Sequence, residues 1–301
     1  FKDQNYLVFD TKFLQLNIWV LIFSLKFGRP SSKSYLSSFI WLSKARLVIS
    51  TIDNSPLLYQ IKRNAPQVYV VVIQNGRRDT IAKDSGKSFV QELATFNQVS
   101  QSVIDYYFTF GTTEARQFQK LIECTFISHG SLKNNLFDIM PEPKNRILTF
   151  ITSLTQDCIQ IESNPSALLG YSNDTPISLV KYFEADFIVA KWLQDFALRN
   201  DLVFQILGKR GKDHPEQELL FRHRVPGEWK FVFCDSEYDS YRTLFESQFI
   251  AGVDSTLLYE MFGRGKRSAF FTIRKSTIGI DSMFCPNFGY PEISSESGPM
   301  W

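Results

Sequence analysis

Short β-branched or aromatic runs alternate with longer helix-patterned stretches along most of this chain, and that alternation restricts its fold more than any other feature. Arg46-Leu47-Val48-Ile49-Ser50 and Gln67-Val68-Tyr69-Val70-Val71-Val72-Ile73 read as fully buried strands. Tyr106-Tyr107-Phe108-Thr109-Phe110 is a third, followed by Gly111, a helix-like stretch over 114–122 and a short strand at 125–127. Continuous apolar strands joined by helices signal a parallel sheet covered on both faces. The pattern restarts after Met140-Pro141-Glu142-Pro143-Lys144-Asn145, where two prolines and mixed charge predict a linker. Strands are expected at 146–151, 202–207, 229–233, 249–253 and 268–272, and residues 185–200 carry apolar positions at helical spacing. The predicted architecture is therefore α/β, in two Rossmann-like domains with mostly parallel sheets facing a cleft. Residues 1–140 form the first and 146–301 the second, with the boundary near 138–146. In such folds ligands sit at the carboxyl ends of the strands.

Length agrees, since 301 residues make about two average domains. The chain is 44% hydrophobic and 21% charged, enough apolar material for a sizeable core without disulfide or metal staples. A net charge of +2 argues against a surface built to coat a polyanion, so nucleic-acid binding is not expected. Cys124, Cys158, Cys234 and Cys285 contain no Cys-x-x-Cys pair, which predicts reduced thiols rather than a zinc or iron–sulfur centre. The longest apolar run, Ile18 to Leu25, is too short for a membrane span and lacks the marks of a signal peptide. It is expected to be a buried helix of a soluble, intracellular protein. Phe1 is not a start methionine, which suggests a partial or processed chain.

Polar turns after the strands are where chemistry is expected. Val253-Asp254-Ser255-Thr256 reads as a strand end running into a helix, whose free N–H groups and dipole make a phosphate cradle. Glu260 lies one turn deeper, suited to accept ribose hydroxyls; the same Asp-Ser-Thr also reads as an ordinary helix cap. Gly208-Lys209-Arg210-Gly211-Lys212 puts three cations beside two glycines, suited to a pyrophosphate, or to a solvated loop. In the first half, Asp53 follows the first strand, Asn75-Gly76-Arg77 the second, and Ser131 with Asn134 the short strand at 125–127, and parallel strands deliver such turns to one edge. No Gly-x-Gly-x-x-Gly, Walker, Gly-x-Ser-x-Gly or His-Glu-x-x-His motif is present, which removes most of the case for the enzyme classes they mark.

Taken in order, these segments resemble the bacterial surface carbohydrate biosynthesis proteins, transferase-like proteins similar to two-domain GT-B glycosyltransferases. The resemblance runs through Ile52-Asp53-Asn54, Ile73-Gln74-Asn75-Gly76-Arg77, Gly130-Ser131 with Asn134-Asn135, and Ile206-Leu207-Gly208-Lys209-Arg210. It continues through Asp254-Ser255-Thr256-Leu257-Leu258-Tyr259-Glu260, Arg264-Gly265-Lys266, Asn287-Phe288-Gly289-Tyr290-Pro291 and Gly298-Pro299-Met300-Trp301. GT-B proteins close with a helix returning to the first domain. None follows Trp301, so the chain is expected to be incomplete at both termini.

The resemblance implies a cytoplasmic enzyme, at most peripheral at the inner face of the membrane, that moves a sugar from a nucleotide-sugar donor to a glycan or lipid-linked glycan acceptor. Lys209, Arg210, Asp254, Ser255, Thr256 and Glu260 would hold the donor. Asn75, Gly76, Arg77, Ser131 and Asn134 would bind the acceptor, with Asp53 as general base. No paired-Asp motif implies a metal, and the nucleotide sugar is a co-substrate rather than a cofactor. Rival expectations are a nucleotide-sugar epimerase, a polyol-phosphate transferase of the same fold, and a non-catalytic nucleotide-sugar-binding protein.

Overall fold

In a computed structural model, the structure describes residues 7, 17–27, 31–76, 89–98, 101–137, 146–154, 158–172, 175–236, 238–271, 273 and 277–278. The chain divides into two units, Phe1–Asn75 with Phe89–Leu132 and Gly76–Ser88 with Lys133–Trp301, and each carries its own parallel sheet.

The first unit holds β1 (Leu47–Ser50), β2 (Tyr69–Ile73), β3 (Ser102–Thr109) and β4 (Ile122–Ser128), adjacent in chain order and all parallel. Its helices are α1 (Ile18–Ser24), α2 (Ser32–Leu42), α3 (Ile61–Asn64), α4 (Phe89–Asn97) and α5 (Thr112–Phe118). Each crossover steps one strand further in the same direction, and right-handed crossovers that all step one way leave their helices on one face. The buried Tyr107 of β3 accordingly packs against Tyr59, Phe118 and Phe126, and Phe89 of α4 joins Tyr59 and Phe118 in the same layer.

On the opposite face Leu47, Ile49, Tyr69 and Tyr106 are exposed. This corrects two expectations, that 46–50 is a fully buried strand and that the first sheet is covered on both faces. β1 is an edge strand, and its side chains alternate between a covered and an open face. A third correction concerns α1. Its N-cap Asn17 accepts from the backbone N–H groups of Trp19 and Val20, at 2.9 and 3.3 Å, which fixes the helix start. Yet Ile18, Trp19 and Ile22 face solvent, and Val20 and Ser24 are the residues turned inward.

The second unit holds β5 (Ile147–Ile151), the antiparallel pair β6 (Leu168–Ser172) and β7 (Thr175–Ser178), β8 (Val203–Leu207), β9 (Lys230–Val232), β10 (Phe249–Gly252) and β11 (Arg267–Phe270). Its helices are α6 (Cys158–Ser163), α7 (Leu179–Arg199), α8 (Glu216–Arg224), α9 (Asp239–Glu246) and α10 (Thr256–Gly263). The main sheet runs β11-β10-β5-β8-β9, all parallel. The chain steps from β5 to β8 and β9, then returns across β5 to β10 and β11, so its crossovers put helices on both faces.

Two apolar clusters result. Phe150, Phe183, Phe187, Phe204, Ile206 and Phe221 pack beneath α7 and α8. Ile151, Leu207, Leu244, Phe245, Leu258 and Met261 pack beneath α9 and α10. Successive residues of β5 and of β8 thus feed opposite cores, the signature of a strand buried on both faces.

The contact division falls between Leu132 and Lys133, ahead of the expected boundary near 138–146, of which residues 138–145 lie outside the described ones. Phe137 shows why: its ring stacks on Tyr241 of α9, with centroids 4.2 Å apart. Helix α7 begins at Leu179, about two turns ahead of the expected 185–200, because the β6–β7 pair delivers the chain directly into it.

Phe221 has no exposed surface and meets Phe150, Phe187, Trp229 and Phe231 edge-on or tilted. Phe221→Ala is expected to cost about 3–5 kcal/mol in urea unfolding monitored by circular dichroism.

Candidate functional site

The strand order of the second unit places a topological switch point between β5 and β10, where the crossovers leave in opposite directions, the position at which open α/β sheets take their ligands. Thr152 and Ser153 follow β5, and Asp254 and Ser255 follow β10. Lys209 and Arg210 follow β8 on the far side of β5, about 10 Å from the β10 turn by strand spacing. All three turns therefore emerge at the same edge, and the β5 turn lies between the two that sequence reasoning singled out. Lys209 is exposed, Arg210 half-buried, and Asp254, Ser255, Thr256 and Glu260 are half-buried.

The β5 turn is held by a residue the sequence analysis passed over. Asp186, on α7 and without exposed surface, accepts at Oδ1 from the Thr152 hydroxyl (3.0 Å), the Ser153 backbone N–H (2.7 Å) and the Ser153 hydroxyl (2.9 Å). Its Oδ2 lies 2.8 Å from the Ser153 hydroxyl. A buried carboxylate with this many donors is satisfied in place, which offsets the desolvation it would otherwise suffer. One turn earlier on the same helix face, the Tyr182 hydroxyl donates to Asp254 Oδ2 at 3.0 Å. Helix α7 thus braces both lips of the switch point. An aspartate set among Phe183, Phe187 and Ala190 in the apolar periodicity of α7 was the available signal.

On the β8 side, the buried Gln217 of α8 accepts from the Lys209 backbone N–H at 3.1 Å and donates to the Leu154 carbonyl at 3.2 Å, tying the β8 turn to the β5 turn. Lys212 pairs with Asp235, in the turn after β9, at 3.4 Å, and His214 approaches Glu216 at the start of α8 at 3.1 Å, so Lys212 of the basic run is already paired. Cys234 donates to the Gly208 carbonyl, and burial pushes its thiol up to about 11, which keeps it protonated and unreactive near neutral pH. Among the described residues no cluster of three His, Cys, Asp or Glu side chains is placed to hold a metal ion.

Ser255 stands at the N-cap of α10 in extended backbone, but its side chain makes no capping bond to the helix, unlike the expected cap. The Glu260 carboxylate accepts from the Tyr241 hydroxyl of α9 at 2.5 Å, and its carbonyl accepts from the Asn134 side-chain amide at 3.3 Å. Asn134 needs a correction, because it was grouped with the first domain. Arg264 donates to the Asn134 side-chain and main-chain oxygens and to the Phe137 carbonyl, which fastens residues 134–137 to α10 in the second unit.

In the first unit, Asp53, Asn75 and Ser131 follow the carboxyl ends of β1, β2 and β4. Asp53 has no exposed surface. Its carboxylate accepts from the Asn75 backbone N–H and from the Tyr107 hydroxyl, each at 3.1 Å, and its carbonyl accepts from the Tyr59 hydroxyl at 2.7 Å. A general base must reach the hydroxyl it deprotonates, so in this arrangement Asp53 positions the β1 and β2 turns instead. Gly76 forms the bend after Asn75, and Arg77 lies outside the described residues. Gly130, just before Ser131, has φ +82 with open space around it, so backbone conformation rather than crowding asks for glycine there. Glu114, half-buried in the first turn of α5 after β3, has its pKa raised by burial, partly countered by a hydrogen bond from its own backbone N–H. Sequence reading did not mark it, because Thr-Thr-Glu also reads as an ordinary helix start.

Fold and site together define a protein of two α/β units with parallel sheets whose polar turns gather at the carboxyl edges. Residues 71–301 match the family described as "putative O-antigen biosynthesis protein", and the chain belongs to that family. A search of curated proteins returned no match. Among solved structures it is similar to the glycosylation-associated protein (Gap123) complex from Streptococcus agalactiae, at 11% identity and TM-score 0.41, over 82% of this chain and 48% of that one. It is also similar to a structure titled "putative UDP-N-acetylglucosamine 2-epimerase" from Listeria monocytogenes, at 13% identity and TM-score 0.40, over 82% of this chain and 63% of that one. The chain thus spans about half to two-thirds of these structures.

Gly208 is where the β8 turn tolerates least. A Cβ there would stand 2.7 Å from the Phe231 ring and 3.0 Å from Gln217 Oε1. Gly208→Ala is expected to cost about 1–3 kcal/mol in chemical denaturation, through displacement of the buried ring and of Gln217.

Proposed function

We propose that the protein is a transferase of surface glycan assembly, whose second unit holds a nucleotide-sugar donor at the switch point between β5 and β10. The observation that carries the reading is the gathering of Thr152–Ser153, Lys209–Arg210 and Asp254–Thr256 at one sheet edge, with two of these turns braced by α7. Membership of an O-antigen biosynthesis family supports the glycan context.

In the proposed reaction the bond between the sugar's anomeric carbon and the diphosphate oxygen breaks, and its electron pair leaves with the nucleotide. A bond from an acceptor hydroxyl oxygen to that carbon forms as the hydroxyl proton is lost. Lys209 and Arg210 offset the charge that grows on the departing diphosphate. Asp254, Ser255 and Thr256 present the start of α10 to a phosphate, and Glu260, already oriented by Tyr241, accepts from the ribose. On the first unit Asn75, Gly76, Arg77 and Ser131 serve the acceptor, and Asp53 holds their turns. Among the described residues Glu114 is the carboxylate at that edge with partial access to solvent, and we assign the acceptor's proton to it. Asn134 leaves the acceptor set, since its hydrogen bond to the Glu260 carbonyl of α10 makes it a support for Glu260.

A thermal-shift panel of nucleoside diphosphates and nucleotide sugars tests the donor site. A specific ligand at a hundred times its Kd should stabilise the protein by about 2.7 kcal/mol. Arg210→Ala should weaken nucleoside diphosphate binding by about 1.5–3 kcal/mol in calorimetric titration. Glu260→Gln should weaken nucleotide binding while leaving inorganic pyrophosphate unaffected. Equal losses for both ligands would make Glu260 a fold-supporting residue, and turnover of a nucleotide sugar without any acceptor would replace transfer by epimerisation.

A further inference from the structure

Helix α1 is built the wrong way out for a helix resting on a protein core. At 100° per residue, Leu21, Ile18, Ile22 and Trp19 fan over about 160° of its circumference, and Leu25 caps its end. Those are the residues exposed to solvent, Trp19 at 73%, Ile18 at 64% and Leu25 at 60%, whereas Val20 and Ser24 point inward. The surface does not end with α1. Phe23 stacks on Trp41 at the end of α2, with centroids 4.7 Å apart, and Trp41 is itself half exposed, beside the exposed Leu42. A contiguous apolar surface rimmed by charge marks an interaction site.

Charge identifies the partner. Between Asp10 and Asp53 the sequence contains Lys12, Lys26, Arg29, Lys33, Lys44 and Arg46 and no acidic residue, in a chain whose net charge is only +2. Lys26, Lys44 and Arg46 are exposed, and the Lys26 ammonium sits 4.4 Å from the centroid of the Phe23 ring, at the border of the apolar surface. Tryptophan with aliphatic side chains, bordered by the Lys26 ammonium in a sequence stretch that carries no acidic residue, is the chemistry of an anionic bilayer surface, where the rings sit at headgroup depth and the cations meet lipid phosphates. A second copy of this chain fits less well, because a two-fold interface would bring like charges together. At seven residues α1 is about 10 Å long, and no described helix is long and apolar enough to cross a membrane, so the helix lies along the surface.

We propose that the paired helices α1 and α2 dock the first unit on an anionic lipid surface, independently of whether the transfer reaction above is correct. Co-sedimentation of the full chain with vesicles tests it, comparing pure phosphatidylcholine with a mixture containing about one-third phosphatidylglycerol. The protein should pellet with the anionic vesicles and be released as sodium chloride is raised towards about 0.5 M. Trp19→Ser with Ile22→Ser should lower partitioning about tenfold or more, and Lys26→Glu with Lys44→Glu should lower it on the anionic vesicles. Because all four positions are exposed, circular dichroism should show the fold retained. Leu198→Ser, at an 82% exposed position on α7, should change nothing. No pelleting of the parent chain, or an equal loss with Leu198→Ser, would overturn the proposal. So would a dimer in sedimentation velocity that Trp19→Ser with Ile22→Ser dissolves while vesicles never bind.

Discussion

The handedness of the crossover between parallel strands is the constraint on which this structure rests, because it decides which face each helix covers and where each turn emerges. In the first unit four strands follow one another across the sheet, so the connecting helices share one face and the other stays open at Leu47, Ile49, Tyr69 and Tyr106. In the second unit the chain reverses about β5, so α7 with α8 and α9 with α10 close opposite faces over two separate cores. The same reversal sets the switch point between β5 and β10. Two separate cores and a switch point are two consequences of a single change of direction.

Each sheet edge is then fixed by one buried carboxylate. Asp53 and Asp186 have no exposed surface, a position that costs several kcal/mol for an ionised group unless donors surround it. Both receive donors from turns that leave the strands, Asp53 from Asn75 with Tyr107 of β3 as a second donor, Asp186 from Thr152 and Ser153. The dependence runs both ways, since the carboxylate is tolerable only while the turn is in place. Turns ordered in this way before any ligand arrives spare the ligand the entropic cost of ordering them. The second unit extends the device. Tyr182 and Asp186 lie four residues apart on α7, so one rigid helix sets the positions of two loops from different strands.

The reading of the site follows from what each residue can reach. Lys209, Arg210, Ser255 and Thr256 were visible as polar residues after apolar runs, and the sheet carries them to one edge as parallel strands must. Asp53 was visible in the same way, yet its burial turns it from a proton acceptor for a substrate into a clasp for its own turns. Asn134 stood a few residues from Ser131 in sequence, but Arg264, 130 residues further on, claims it for the second unit. Asp186 could have been noticed as a charge in an apolar stripe, although its donors lie 33 and 34 residues earlier in the chain.

By itself the sequence determined the local period of each segment. Apolar runs of strand length, helix-patterned connections and polar turns between them predicted the parallel α/β class and the strands from β1 to β11 that carry it, the short β6–β7 pair apart. Only the tertiary structure decided which faces are covered, because coverage depends on the spatial order of strands, a non-local property absent from any single run. The apolar stretch from Ile18 to Leu25 makes the point most directly. Its composition matches that of a core helix, but hydrophobicity does not state a direction. It took the packing of Val20 and Ser24 inward to turn Trp19 and Ile22 towards the solvent.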